Sequence, residues 1–348
     1  MRFPIIVGNG PQPPADAKRR QKNLKMSPDD TPELESRMRE MYSRIRYPRL
    51  NPESNEQYVR HRRFVYSRLG IDVDEFFRGK TILDAGCGTG EETLFLASLG
   101  PEKVIGVDTS EGSLEYAKES AAKLGVDNVE FRYGSVLDTS LFPDGSFDYI
   151  SSLGCIHHTS DTHAAFVNLC RMVKPQGHLS TFIYNTFGHA VYNLQCSTLD
   201  HLAGNDIDNR VKWARRLFAL GRGDTMNREG IPSDRTARLY DKYGVLYRDS
   251  ITLETHLKWY REQGFIHEGS FPMYLRDIIH AYTAAAGDGN SPRGLKGVVG
   301  TLLNTLLPKF PGRRQWTFVR RAGMQKLLLL MGIIDYGSAF RILGRKSP

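Results

Sequence analysis

The feature that most constrains this chain is Ile82-Leu-Asp-Ala-Gly-Cys-Gly-Thr-Gly90, an apolar run that ends on three alternating glycines. Residues 91–99 read as a helix starting directly after it. Glycines at 86, 88 and 90 permit a tight strand-to-helix turn and leave bare backbone for a ligand to lie against. A glycine motif alone is weak; its place between a strand and a helix gives it weight. The dinucleotide fingerprint GxGxxG fails, because Glu91 stands where its third glycine is required. Asp84, just before the turn, suits a cationic ligand better than a pyrophosphate, and no Walker-type Lys-Ser or Lys-Thr follows.

The surrounding pattern alternates. Short apolar runs at 81–84, 103–108, 128–133, 147–152 and 177–184 read as strands, and residues 111–124 and 163–173 as helices, with Ser110 as an N-cap. A helix at 253–263, a strand at 265–271 and a last strand at 339–345 complete the set. The rhythm predicts an α/β fold: a doubly wound, mainly parallel seven-stranded sheet with an N-terminal helical cap and helical insertions. The expected organisation is a mobile arm (1–31), a helical cap (32–74), a core (75–186), a helical insertion serving as a lid (187–250), a core helix and strand (251–271), a basic amphipathic segment (272–337), and the last strand with a tail (338–348). Asp108 ends the second strand, eighteen residues after Gly90. A carboxylate there can accept both hydroxyls of a ribose at the C-terminal edge of the sheet. The plainer alternative is a solvated acid at a strand end.

Charge narrows the partners. The net charge is +8, yet residues 291–348 carry eleven Lys or Arg against one acid, and residues 1–70 carry fifteen basic against eight acidic residues. The middle is therefore acidic, and the basicity sits on the flanks. Leu295, Val298, Val299, Leu302, Leu303 and Leu306 recur at helical spacing near Arg313, Arg314, Arg320 and Arg321, a pattern that can lie on an anionic membrane surface or pack on a core. The longest apolar run, 327–334, is far short of a span. Four cysteines without CxxC spacing argue for a reducing, cytoplasmic setting and against a zinc site; no metal is expected.

Five ordered segments resemble one family: Ile82 to Gly90, Gly106-Val-Asp-Thr-Ser110, Phe142-Pro-Asp-Gly-Ser-Phe-Asp148, Ile156-His-His158 and Arg171-Met-Val-Lys-Pro-Gln-Gly177. Their order and spacing resemble the class I S-adenosylmethionine (SAM)-dependent methyltransferases, above all the broad bacterial small-molecule group. The resemblance covers about residues 75–185. It implies SAM as cofactor, with Asp84, Gly86, Cys87, Gly88 and Gly90 around its methionine part, Asp108 on its ribose and Thr109 beside its adenine. The loop carrying Ser135 and Val136 would cover the adenine edge. Where the family has Gly-Asp this chain has Gly134-Ser135, so the adenine amino contact falls to Ser135 or to Asp138.

For catalysis the residues after the fourth strand matter most. His157 and His158 can take a proton near neutral pH if the acceptor needs a base, or can serve packing alone. Tyr184, Asn185 and His189, after the fifth strand, are expected to touch the acceptor. Tyr58, Tyr66, Tyr240, Tyr243 and Tyr247 have a lid-like composition that a core face would share. The expected activity is methyl transfer to a small-molecule or lipid acceptor. An RNA methyltransferase using the basic flanks and a non-catalytic partner or scaffold are the alternatives, the former without a recognisable RNA-binding module.

Overall fold

The computed structural model describes residues 31–45, 55–186, 189–218, 239–271 and 339–348. The predicted arm up to residue 30, part of the insertion (219–238) and the basic segment 272–337, with Trp316, lie outside the described residues. Seven strands form one sheet: β1 (Thr81–Ala85), β2 (Lys103–Asp108), β3 (Val129–Tyr133), β4 (Phe147–Leu153), β5 (Val173–Tyr184), β6 (Phe265–Phe271) and β7 (Ala339–Lys346). Their order is β3-β2-β1-β4-β5-β7-β6. The first five pair in parallel, and β7 runs antiparallel to both β5 and β6. The order reverses at β1, between β2 and β4, where the chain ends of a parallel sheet open a crevice for ligands.

One strand start departs from expectation. β5 begins at Val173, not Gly177, because Lys174-Pro-Gln176 is absorbed as an irregularity in the ladder between Phe147↔Val173 and Tyr149↔His178. Gln176 takes a positive φ of 62°, and the Pro, lacking an N–H, sits where the ladder is interrupted.

Helices α1 (Thr31–Arg44), α2 (Asn55–Arg68), α3 (Val73–Phe76), α4 (Glu91–Ala97), α5 (Glu111–Leu124), α6 (Thr162–Met172), α7 (Ala190–Ala203), α8 (Ile207–Leu217) and α9 (Leu253–Glu262) flank the sheet or cross its C-terminal edge. Ser110, Asp161 and Thr252 cap α5, α6 and α9 by accepting from a backbone N–H three residues on. One face of the sheet carries Leu83, Ile105, Ile150, Phe166, Leu169 and Ile342. The other joins Tyr66 and Phe77 to Ile82, Phe95, Val104 and Leu343, so α2 is part of the covering layer.

That second face hides an ion cluster. Glu92, at the start of α4, lies 3.0 Å from Arg62 of α2 and 3.5 Å from Arg341 of β7. Tyr66 and Tyr58 donate to its two oxygens at 2.6 and 3.1 Å. Arg341, 1% exposed, also donates to the hydroxyls of Ser180 (2.8 Å), Tyr66 (2.8 Å) and Tyr149 (3.2 Å). Burial opposes the Glu92 charge, but the two guanidiniums and the two phenols overcome it and hold its pKa below the usual carboxylate range. Removing one partner of a buried pair leaves the others uncompensated. Glu92→Gln is expected to cost about 3–5 kcal/mol of unfolding free energy, read from urea denaturation.

Candidate active site

The site begins with backbone geometry. β1 ends at Ala85, and the chain turns through Gly86 (φ 80°), Gly88 (φ 53°) and Gly90 (φ 85°) into α4. The Gly86 and Cys87 amides bond the Val107 carbonyl at 2.8 and 3.0 Å, which ties the turn to the end of β2. A Cβ on Gly86 would come within 2.3 Å of the Cys155 Cβ. Glycine is required there for conformation and for space alike.

Asp108 closes the turn from the other side. Its Oδ2 accepts from the Gly88 amide at 2.9 Å and its Oδ1 from the Ser110 amide at 2.8 Å. Burial raises its pKa, and these backbone donors pull the other way. A carboxylate offers about four lone-pair positions. The two backbone bonds fix its orientation and leave capacity on the cavity side for two hydroxyls.

A cavity of about 510 Å³ opens over these strand ends, within the range of small-molecule sites. It brings together Asp84, Gly86, Cys87, Gly88, Asp108, Thr109, Ser135 and Val136. Gly90 does not line it. A Cβ there would meet Ala117 at 2.8 Å, so this glycine serves helix packing rather than the ligand face. Asp84 is 1% exposed and accepts from Thr93 Oγ1 at 2.6 Å. Burial, with Glu92 nearby, pushes its pKa up to about 7. The Ser135 hydroxyl accepts from the Leu137 amide at 3.2 Å and keeps its own hydrogen to give. Asp138 is not available as its substitute: it is exposed, lies off the cavity, and accepts from both the hydroxyl and the amide of Ser140.

The histidine pair separates. Both lie in a 3₁₀ turn, Ile156–His158, with their rings in contact at 4.2 Å between centroids. His158 lines the cavity, and its Nδ1 lies 2.9 Å from the Tyr247 carbonyl, which in the neutral ring places the proton on Nδ1. Burial lowers its pKa to about 4. His157 does not line the cavity. It is fully buried, neither ring nitrogen has a partner among the described residues, and burial drives its pKa well down. It lies behind the cavity wall, its ring 4.0 Å from that of Tyr184.

The acceptor set separates in the same way. Tyr184 lines the cavity; Asn185 and His189 do not. Asn185 is buried, bridges to Ile251, and accepts the His189 amide at 2.9 Å. His189 stacks on Tyr184 at 4.1 Å. His189 thus packs on the tyrosine, and neither residue is part of the cavity wall. Of the other tyrosines, Tyr58 and Tyr247 line the cavity, whereas Tyr66 and Tyr243 belong to packed clusters.

Several lining residues escaped the sequence reading: Tyr42, Arg62, Cys155, Asp241 and Arg341. Arg62 and Arg341 had one available signal, a cation on an otherwise apolar helix or strand face. The cavity is also acidic, with six carboxylates against three arginines along its wall. Among the described residues no group of three or more His, Cys, Asp or Glu could hold a metal ion.

A sheet of this order, with a glycine turn after β1 and an acid at the end of β2, is the class I SAM-dependent methyltransferase fold. The residues present fit that cofactor: a bare-backbone turn, a clamped acid with capacity for a diol, and an acidic wall for a cation. Residues 76–208 match the family model described as "Methyltransferase domain". Over 143 residues the chain is 39% identical to an uncharacterised protein of Synechococcus sp., covering 40% of this chain and 34% of that one. It is 31% identical over 148 residues to the demethylmenaquinone methyltransferase of Geobacillus stearothermophilus, covering 41% and 61%. It is 34% identical over 103 residues to the 27-O-demethylrifamycin SV methyltransferase of Amycolatopsis mediterranei, covering 29% and 38%. The matched part thus spans between about a third and three-fifths of these relatives.

Asp84 makes stability depend on pH. Its native pKa of about 7 exceeds the unfolded value of 3.8, so the native state binds the proton more tightly. The contribution is complete below about pH 4 and is lost as pH rises through about 7. Asp84→Asn is expected to flatten this slope, and denaturation midpoints across that range in the two proteins test it.

Proposed function

We propose that this chain is a SAM-dependent methyltransferase acting on a small-molecule or lipid-type acceptor. The observation that carries the reading is the pairing of the glycine turn with Asp108, whose carboxylate is held by the Gly88 and Ser110 amides and turned to an acidic cavity. The names of two matched relatives, on demethylmenaquinone and on a demethylrifamycin, support a small organic acceptor.

The bound donor supplies an already activated methyl group on a sulfonium sulfur. What is asked of the protein is alignment and exclusion of water. Asp108 holds the ribose hydroxyls, Gly86 and Gly88 let the ligand approach the backbone, and the ionised form of Asp84 favours its positive charge. Leu137, Leu153 and Phe182 supply the apolar wall that keeps water out. Tyr184, held between His157 and His189, presents its edge and hydroxyl to the acceptor. A cytoplasmic setting, with peripheral membrane contact through 272–337, belongs to the same proposal and is supported by the basic flanks.

Calorimetric titration with SAM and with S-adenosylhomocysteine tests the reading. Saturable binding in the micromolar range is expected, weakened about tenfold or more in Asp108→Ala, as for loss of a charge-assisted contact. No binding by well-folded wild-type protein overturns it.

A further inference from the structure

The cavity wall also holds an acid that the motifs do not contain. Asp241 sits in a π-helical turn, Tyr240–Gly244, a local form common at functional sites. It lines the cavity and accepts a hydrogen bond from the Tyr42 hydroxyl of α1 at 3.2 Å. Packing fixes both partners. Leu34, Met38 and Met41 bury against Val245, Leu246 and Tyr247. A Cβ on Gly244 would meet the Met41 Sδ at 2.9 Å, so α1 lies directly on the turn. Asp208 clamps the outside, accepting from Tyr240 at 2.5 Å and from Arg44 at 2.8 Å.

The surroundings leave this carboxylate incomplete. Among the described residues it makes no ion pair, and its environment acts through burial first and the Tyr42 hydroxyl second. Burial pushes its pKa up to about 6. One phenolic donor fills one of about four lone-pair positions. A half-buried acid with spare acceptor capacity, facing a cavity, is placed to accept from a proton donor on the ligand. The walls around it say what kind. Tyr42, Tyr58, Phe182, Tyr247 and His158 line the same cavity, and aromatic side chains of this kind match a flat ring. His158 is a poor competitor as base, since burial holds it near a pKa of about 4.

We propose that Asp241 is the general base of an acceptor subsite that takes a planar ring bearing a hydroxyl group, with Tyr42 as its positioning residue. The inference rests on the methyl-transfer reading above. The ring hydroxyl gives its proton to a free Asp241 oxygen as the hydroxyl oxygen bonds to the donor's methyl carbon. The methyl carbon–sulfur bond breaks, its electron pair stays on sulfur, and the sulfonium charge is lost. A methyl ether, a neutral thioether and a protonated Asp241 result, and the proton passes to solvent when the product leaves.

The test is calorimetric titration of S-adenosylhomocysteine-saturated protein with 2-naphthol and with naphthalene at neutral to slightly basic pH. Wild-type protein is expected to prefer 2-naphthol by about tenfold or more, as for a hydrogen bond to a charged acceptor. In Asp241→Asn the preference falls below about threefold while S-adenosylhomocysteine affinity is unchanged. If the Asn variant unfolds early, Tyr42→Phe carries the test, with the preference shifted by about threefold and naphthalene binding unmoved. Equal binding of the two rings, binding of neither, or an intact preference in both variants overturns the proposal alone. Failure of wild-type protein to bind S-adenosylhomocysteine overturns the methyl-transfer reading first and this one with it.

Discussion

Much of this structure hangs on one buried carboxylate. Glu92 stands between Arg62 and Arg341, and the cluster links a helix before the sheet, the helix after the glycine turn and the next-to-edge strand β7. The Arg341 guanidinium lies over the Tyr66 ring at 4.4 Å and the Arg62 guanidinium over the Tyr58 ring at 4.8 Å. Such a cluster adds little net stability over an apolar core, because desolvation takes back most of the Coulomb gain. What it does is join α2, α4 and β7 at one point, through the Arg62 and Arg341 ion pairs to Glu92. The start of α4, and therefore the glycine turn that leads into it, is placed by the same contacts.

The cavity inherits its character from this arrangement. Asp84, Glu91, Glu92 and Asp108 gather at the ends of β1 and β2 and the start of α4, where burial raises the cost of negative charge. The elevated pKa of Asp84 is one expression of that cost, and a cationic ligand relieves it. Asp108 meets the cost differently, by taking two backbone amides. One acid is thus free to respond to charge, while the other is held rigid to shape a contact.

The lining of the cavity has two origins along the chain. The glycine turn, Asp108, Ser135, His158 and Tyr184 fall inside residues 76–208, the span that matches the methyltransferase-domain family model. Tyr42, Tyr58, Asp241, Tyr247 and Arg341 come from outside it. A common core that receives the shared ligand, with private segments over its mouth, lets acceptor chemistry vary while the sheet stays the same.

The sequence by itself determined the order of strands and helices, the glycine turn and the acid after β2. Each is a local pattern whose meaning depends on residues a few positions apart: alternating apolar runs, glycines that allow positive φ, a carboxylate at a strand end. It could not separate His157 from His158, since which of two adjacent imidazoles reaches a cavity depends on the packing around them. It could not show that His189 stacks on Tyr184, or that Gly90 packs on Ala117. Nor could it pair Tyr42 with Asp241 across 199 positions, or bring Arg341 from the end of the chain to Glu92. Those were decided by the tertiary structure, because burial and side-chain direction are properties of packed neighbours, and the neighbours are distant in sequence.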